Sequence, residues 1–237
     1  MSSPRRFTNG VTNVKNGTTL GAFVDTDPTK VITFFDDFQK YRAADWVVTA
    51  VNSSTVAMSD TYVGGAVVLT ADTSENDGVQ LQASHDDGTN DSEVFRIQAG
   101  KKAWFKCKFQ GADVDQTDFV CGIAIADTSL IASAPTDGAY FISVDGSATV
   151  NFYSTKDSVA SSVTNIGTLV DATDATVGFY WDGVDTYSLY FNDVLAGTLQ
   201  GGSIPDDEYM AVSFGMLTGE GVANTMTVDY IFAATER

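Results

Sequence analysis

The chain has 237 residues, 43% of them hydrophobic and 11% aromatic, enough apolar material to close a core in one large domain or two small ones. Its 13 Lys+Arg stand against 31 Asp+Glu, a formal charge of −18, so most of the surface repels phosphate backbones and anionic headgroups, and neither nucleic acid nor a membrane is an expected partner. One histidine, His85, and two cysteines, Cys107 and Cys121, remove most histidine-based catalysis and multi-ligand zinc sites; the inventory points away from an enzyme, and no cofactor or metal is expected.

Residues 1–30 read as an N-terminal arm: Asn, Thr, Gly and Ser dominate, and the apolar residues are scattered at Phe7, Val11, Val14, Leu20 and Phe23. The opening MSSPRRFTNGV has no apolar stretch of the kind a secretory signal needs, so synthesis in a cytosol is expected. Arg5, Arg6, Lys15 and Lys30 outnumber Asp25 and Asp27 here, which leaves the excess negative charge in the remainder. From residue 31 onward the pattern is period-two alternation broken at short intervals by Gly, Asp and Asn, and only five of the acidic residues are glutamates, so the expectation is an all-β domain over 31–237. Strands are predicted at 31–38, 46–51, 55–58, 66–70, 78–83, 94–97, 101–110, 118–126, 138–144, 149–155, 163–170, 175–181, 186–191, 194–199, 209–216 and 224–233, with no convincing helix. The polar stretch SHDDGTNDS at 84–92 reads as a long loop within one sandwich. Two hairpins are legible: one joins KCKFQ to FVCGIAIA through GADVDQTD, and the other is VGFYWDGVDTYSLYFNDVLAGTL, with turns at Asp182–Gly183 and Asn192–Asp193.

Three constellations bear on chemistry. Cys107 and Cys121 fall on matching positions of the first hairpin, so they are expected in cross-strand contact, as two buried thiols ahead of a disulfide. His85, Asp86, Asp87, Asn90, Asp91 and Glu93 offer oxygen ligands within a short span, but they miss the spacing of a calcium loop and read first as solvated turn residues. Trp46, Trp104, Tyr180 and Trp181 are the aromatic candidates for stacking on a sugar ring, each with a core alternative. Trp104 is the most suggestive: Phe105, Cys107 and Phe109 take one strand face, which leaves Trp104 with Lys106 and Lys108 on the other as a surface aromatic contact suited to a glycan or to a protein.

The segments FFDDFQKYRAADW, TVGFYWDGVDTYSLYFNDVLAGTL and TMTVDYIFAATER together resemble the concanavalin-like lectin and glucanase sandwiches. That resemblance implies an antiparallel jelly-roll β-sandwich. Glucanases of this fold carry Glu-x-Asp-x-x-Glu or a close variant on a central strand, and no stretch here supplies two glutamates at that spacing.

The arm followed by an Asp-, Gly- and Thr-rich sandwich also resembles structural proteins of tailed bacteriophages, marine and cyanobacterial ones in particular, and among them capsid decoration or cement proteins. This resemblance implies a non-enzymatic virion protein, made in the host cytoplasm and seated on the outer capsid surface as a trimer or dimer. The major capsid protein would be its partner, with Arg5, Arg6, Phe7, Val11 and Val14 as anchors of the arm. The alternative reading is a carbohydrate-binding, lectin-like module of a phage adhesin or polysaccharide-active protein.

Overall fold

Alternating apolar and polar residues, punctuated by Asp, Asn and Gly turns, fold into two antiparallel sheets that bury their apolar faces against each other. The computed structural model describes residues 29–237. One sheet contains β1 (Val31–Asp36), β3 (Thr55–Met58), β4 (Val67–Thr70), β6 (Ala103–Gly111), β11 (Ala175–Trp181), β12 (Thr186–Phe191), β13 (Val194–Gln200) and β15 (Thr225–Glu236). Its order is β13-β12-β11-β6-β15-β4-β3, and β1 pairs with the C-terminal part of β15, beyond β4. The facing sheet contains β2 (Trp46–Ala50), β5 (Gly78–Ala83), β7 (Thr117–Ala124), β8 (Gly138–Ser143), β9 (Thr149–Lys156), β10 (Val159–Thr168) and β14 (Ala211–Thr218), in the order β10-β9-β8-β7-β14-β5-β2.

Aromatic rings fill the space between the sheets. Phe105 and Phe179 of the eight-stranded sheet stack at 5.7 Å, and Phe179 meets Phe152 of the other sheet at the same distance. Tyr187 and Trp181 close that cluster at 4.8 Å, and the Trp181 indole N–H donates to the Gln98 carbonyl. Near β2 a second group forms around Trp46, whose ring lies 5.1 Å from Phe214 and 5.5 Å from Phe34. Each such buried ring contributes on the order of 2–3 kcal/mol of apolar burial.

The fold is the concanavalin-like jelly-roll sandwich expected from the sequence. Most predicted strands fall within a few residues of the observed ones, with three differences. The segment predicted as a strand at 94–97 makes only an isolated bridge, in which Phe95 and Met210 exchange both backbone hydrogen bonds. Strand β10 begins at Val159, earlier than expected, because the tight Asp157–Ser158 turn, with both residues at positive φ, sends the chain straight back along β9. The expected first hairpin does not form either: β6 and β7 belong to different sheets, so the turn between them crosses the sandwich. Cys107 and Cys121 therefore meet across the core and not across a hairpin. Both are free and buried, and burial first, then the neighbouring thiol, holds Cys107 well above the ordinary thiol value.

The arm anchors Arg5, Arg6, Phe7, Val11 and Val14 lie outside the described residues. Among the described residues no helix is long and apolar enough to cross a membrane.

Candidate functional site

Strand alternation places Trp104, Lys106 and Lys108 on the outer face of the eight-stranded sheet while Ala103, Phe105, Cys107 and Phe109 point inward and are buried. Pairing then fixes their neighbours. In the antiparallel register Trp104 opposes Tyr180, and Lys106 opposes Gly178 on one side and Phe232 on the other. Gly178 opposes Tyr190 in turn, and Phe232 opposes Phe35. Directly opposed residues share a sheet face, so one row, Phe35–Phe232–Lys106–Gly178–Tyr190, crosses five strands. Beside it runs a second, Ala234–Trp104–Tyr180–Ser188.

The absence of a side chain at Gly178 makes a trough in this face. A Cβ there would come within 2.8 Å of the Phe105 carbonyl oxygen, so backbone already occupies the floor. The resulting groove has a volume of about 640 Å³. Trp104 and Tyr180 form one wall, with ring centroids 5.7 Å apart, and Tyr190 and Phe232 stand along the groove. The opposite rim is an ion pair. Asn192 and Asp193, both at positive φ, make the tight turn predicted between β12 and β13, and that turn holds the Asp193 carboxylate 2.6 Å from the Lys106 ammonium. The contact with Asp193 raises Lys106 above the usual lysine value.

Lys108 is farther along the same face and is held more firmly. Its ammonium lies 2.8 Å from Asp229 and 2.9 Å from Asp174, and it sits over the Tyr62 ring, whose hydroxyl donates to Asp174. The bond to Asp229, then the one to Asp174, raises the lysine. Burial works to raise Asp174, but its bonds from Lys108 and Tyr62 outweigh that and hold it below the usual carboxylate range.

The outer face of the seven-stranded sheet is built differently. Both faces of β5 and β7 are buried because residues 125–137 fold back over them as a strap. Leu130 is fully buried there among Val120, Ala124 and Tyr140. Two buried glutamines of β5 fasten the strap. The Gln80 amide donates to the Asp127 carbonyl and its oxygen accepts from the Leu130 N–H; the Gln82 amide donates to the Ile125 carbonyl and its oxygen accepts from the Asp127 N–H. The outward positions of β7 are Asp118, Val120, Gly122 and Ala124.

Of the four aromatic candidates, Trp46 and Trp181 are core residues at 1% exposure, whereas Trp104 and Tyr180 form a partly exposed pair. Tyr190, Phe232, Gly178 and Asp193 complete the groove and were not singled out from the sequence. The alternation in TYSLYF, with Tyr187 and Leu189 buried, marks Tyr190 as outward-facing and is the signal that would have found it. In the 84–92 loop, Asp87 accepts bonds from the backbone of Thr89 and Asn90 and from the side chains of Ser84 and Asn90. The Asn90 bonds first, with those of Thr89 and Ser84, hold its carboxyl far below the usual range. Among the described residues no group of three or more His, Cys, Asp and Glu side chains is arranged to hold a metal ion.

Neither a family model nor a curated protein sequence matches the chain. Solved structures do resemble it. A protein of unknown function from Shewanella oneidensis MR-1 is similar with a TM-score of 0.61 at 11% identity, over 99% of this chain and 97% of that one. The endo-β-1,4-glucuronan lyase of the fungus Trichoderma reesei gives 0.58 at 12% identity, over 85% and 94%. The carbohydrate recognition domain of Emp47p gives 0.58 at 8% identity, over 90% and 99%. At such identities the likeness shows the fold.

These findings correct the expectation that the chain is not an enzyme. The same sandwich serves the lyase, a transglycosylase and the β-glucanase of Bacillus licheniformis. The exclusion had rested on scarce histidine and cysteine and on the missing pair of glutamates at the glucanase spacing; the chain has carboxylates in number, the group on which glycoside chemistry runs, though not at that spacing. The findings give no support to a virion or capsid role.

Proposed function

We propose that the protein recognises carbohydrate, as a lectin-like domain of a polysaccharide-active or adhesive protein, through the groove on the outer face of its eight-stranded sheet. The observation that carries this reading is the Trp104–Tyr180 pair beside the Gly178 trough. A pyranose ring has apolar C–H faces and a hydroxyl rim. It needs a flat aromatic surface to cover the one, and fixed donors and acceptors to meet the other. Trp104, Tyr180 and Tyr190 supply the surface, and the Lys106–Asp193 pair supplies both a donor and an acceptor at the rim. The lyase, the glucanase and the carbohydrate recognition domain among proteins of similar fold support the reading from a separate direction.

The test is retention on immobilised or insoluble polysaccharides, comparing the wild-type chain with Trp104→Ala and Tyr180→Ala. Retention of the wild type and its loss in both variants, each still folded by circular dichroism, is the expected result. Variants that bind as well as the wild type, or a wild type that no polysaccharide retains, would contradict it.

A further inference from the structure

The aromatic surface extends well past the groove itself. Phe35 is 61% exposed on β1, opposes Phe232 in register, and its ring lies 6.4 Å from that of Tyr230. From Phe35 to Tyr190 the row takes four inter-strand steps of about 4.8 Å, hence about 19 Å, running across the strands and not along them. A single sugar ring fills only a fraction of that length. The Gly178 trough lies toward one end, and the exposed Phe35 ring lies at the other.

The two lysines that stand in and beside the aromatic row are already paired, while Lys102, exposed at the strand end beyond Trp104, lies outside the row. The Lys106 ammonium is engaged by Asp193 at 2.6 Å and Lys108 by Asp229 and Asp174. No cation in the aromatic row is left for a ligand carboxylate, and the chain as a whole carries −18. A polyuronate would meet uncompensated repulsion along its length, whereas a chain of neutral sugars keeps its hydroxyls for the rim and its ring faces for the aromatics.

Resting on the carbohydrate reading above, we infer that this face takes an internal stretch of an uncharged polysaccharide, laid across β12, β11, β6, β15 and β1, with Trp104, Tyr180 and Tyr190 at a near subsite and Phe35 with Phe232 at a far one. Affinity then grows with chain length until the far subsite is filled. Phe35 contributes to long ligands and not to short ones, while Trp104 contributes to both.

Isothermal titration of the full chain with cello-, laminari- and xylo-oligosaccharides from disaccharide to hexasaccharide, and with oligogalacturonates of the same lengths, tests this. The inference expects at least one neutral series to bind, with affinity rising through the tetrasaccharide and then levelling, and no comparable binding of the charged series. Phe35→Ser should weaken the hexasaccharide by about tenfold and leave the disaccharide unchanged, because one stacked ring is lost at the far end only. Since Phe35 is solvent-facing, the variant should fold, and unchanged thermal unfolding checks that. Oligogalacturonates binding as well as neutral chains, a flat dependence on length, or an unaffected Phe35→Ser hexasaccharide would each overturn the inference while leaving carbohydrate recognition intact. If no neutral sugar binds at any length and Trp104→Ala changes nothing, the inference and the reading beneath it fall together.

Discussion

The two outer faces of the sandwich solve the same problem in opposite ways. Every strand in the middle of a sheet exposes one face to whatever lies outside, and on the seven-stranded side the chain covers its own apolar residues with the 125–137 strap. On the eight-stranded side, among the described residues, aromatic side chains stand uncovered beside a glycine trough, with ion pairs at the edge. This contrast between a covered apolar face and an open one is what the proposed carbohydrate site rests on, because an exposed aromatic patch lowers solubility unless something uses it.

The largest effect expected from breaking this contrast is on the covered face. Leu130 lies in a loop yet is fully buried, so Leu130→Ala should destabilise the fold by about 2–5 kcal/mol, as a core leucine does. Denaturant unfolding measures it, and a loss below about 1 kcal/mol would show the strap to be loosely attached. Next comes the fastening. Gln82→Ala leaves the Ile125 carbonyl and the Asp127 N–H of the strap without their side-chain partner and should cost about 1–3 kcal/mol, with faster hydrogen exchange at Asp127. Neither substitution should alter carbohydrate binding.

On the open face the order reverses. Trp104→Ala should leave stability within about 1 kcal/mol and remove about 2 kcal/mol of ligand affinity, the behaviour of an aromatic hot spot. The smallest effect belongs to the rim pair. Lys106 is held above its ordinary value, so its contribution is fully present below the unfolded lysine value near pH 10.4 and fades as pH climbs through the higher folded value. Because both partners are substantially exposed, Asp193→Asn should cost less than about 1 kcal/mol at neutral pH, and the difference from wild type should vanish in strongly alkaline solution. A titration of unfolding free energy from pH 7 upward follows it, with the difference constant up to about pH 10 and narrowing above that.

Much of this architecture could be read from alternation alone. The run ATVGFYW and the Asn192–Asp193 turn gave strand, face and hairpin together, because local pairing and turn chemistry are encoded in neighbouring residues. What escaped was non-local. Whether β6 and β7 pair or part depends on where the turn between them leads, and the same alternating pattern suits both outcomes. In the strap, Leu130 and Ile131 sit in a polar segment whose burial is set by glutamines some fifty residues away. For the site, Trp104, Lys106 and Lys108 were visible as one strand face, but the groove became apparent only when pairing brought Gly178, Tyr190 and Phe232 beside them.

The most direct measurement follows the three tryptophan indole N–H resonances while a neutral hexasaccharide is added. Trp104 stands at the groove wall, whereas Trp46 and Trp181 are enclosed in the core. Recognition on the open face predicts that the Trp104 signal shifts progressively to saturation while the other two hold still. Saturating binding that leaves Trp104 unmoved and perturbs the strap amides around Leu130 would place the site on the covered face and contradict the account.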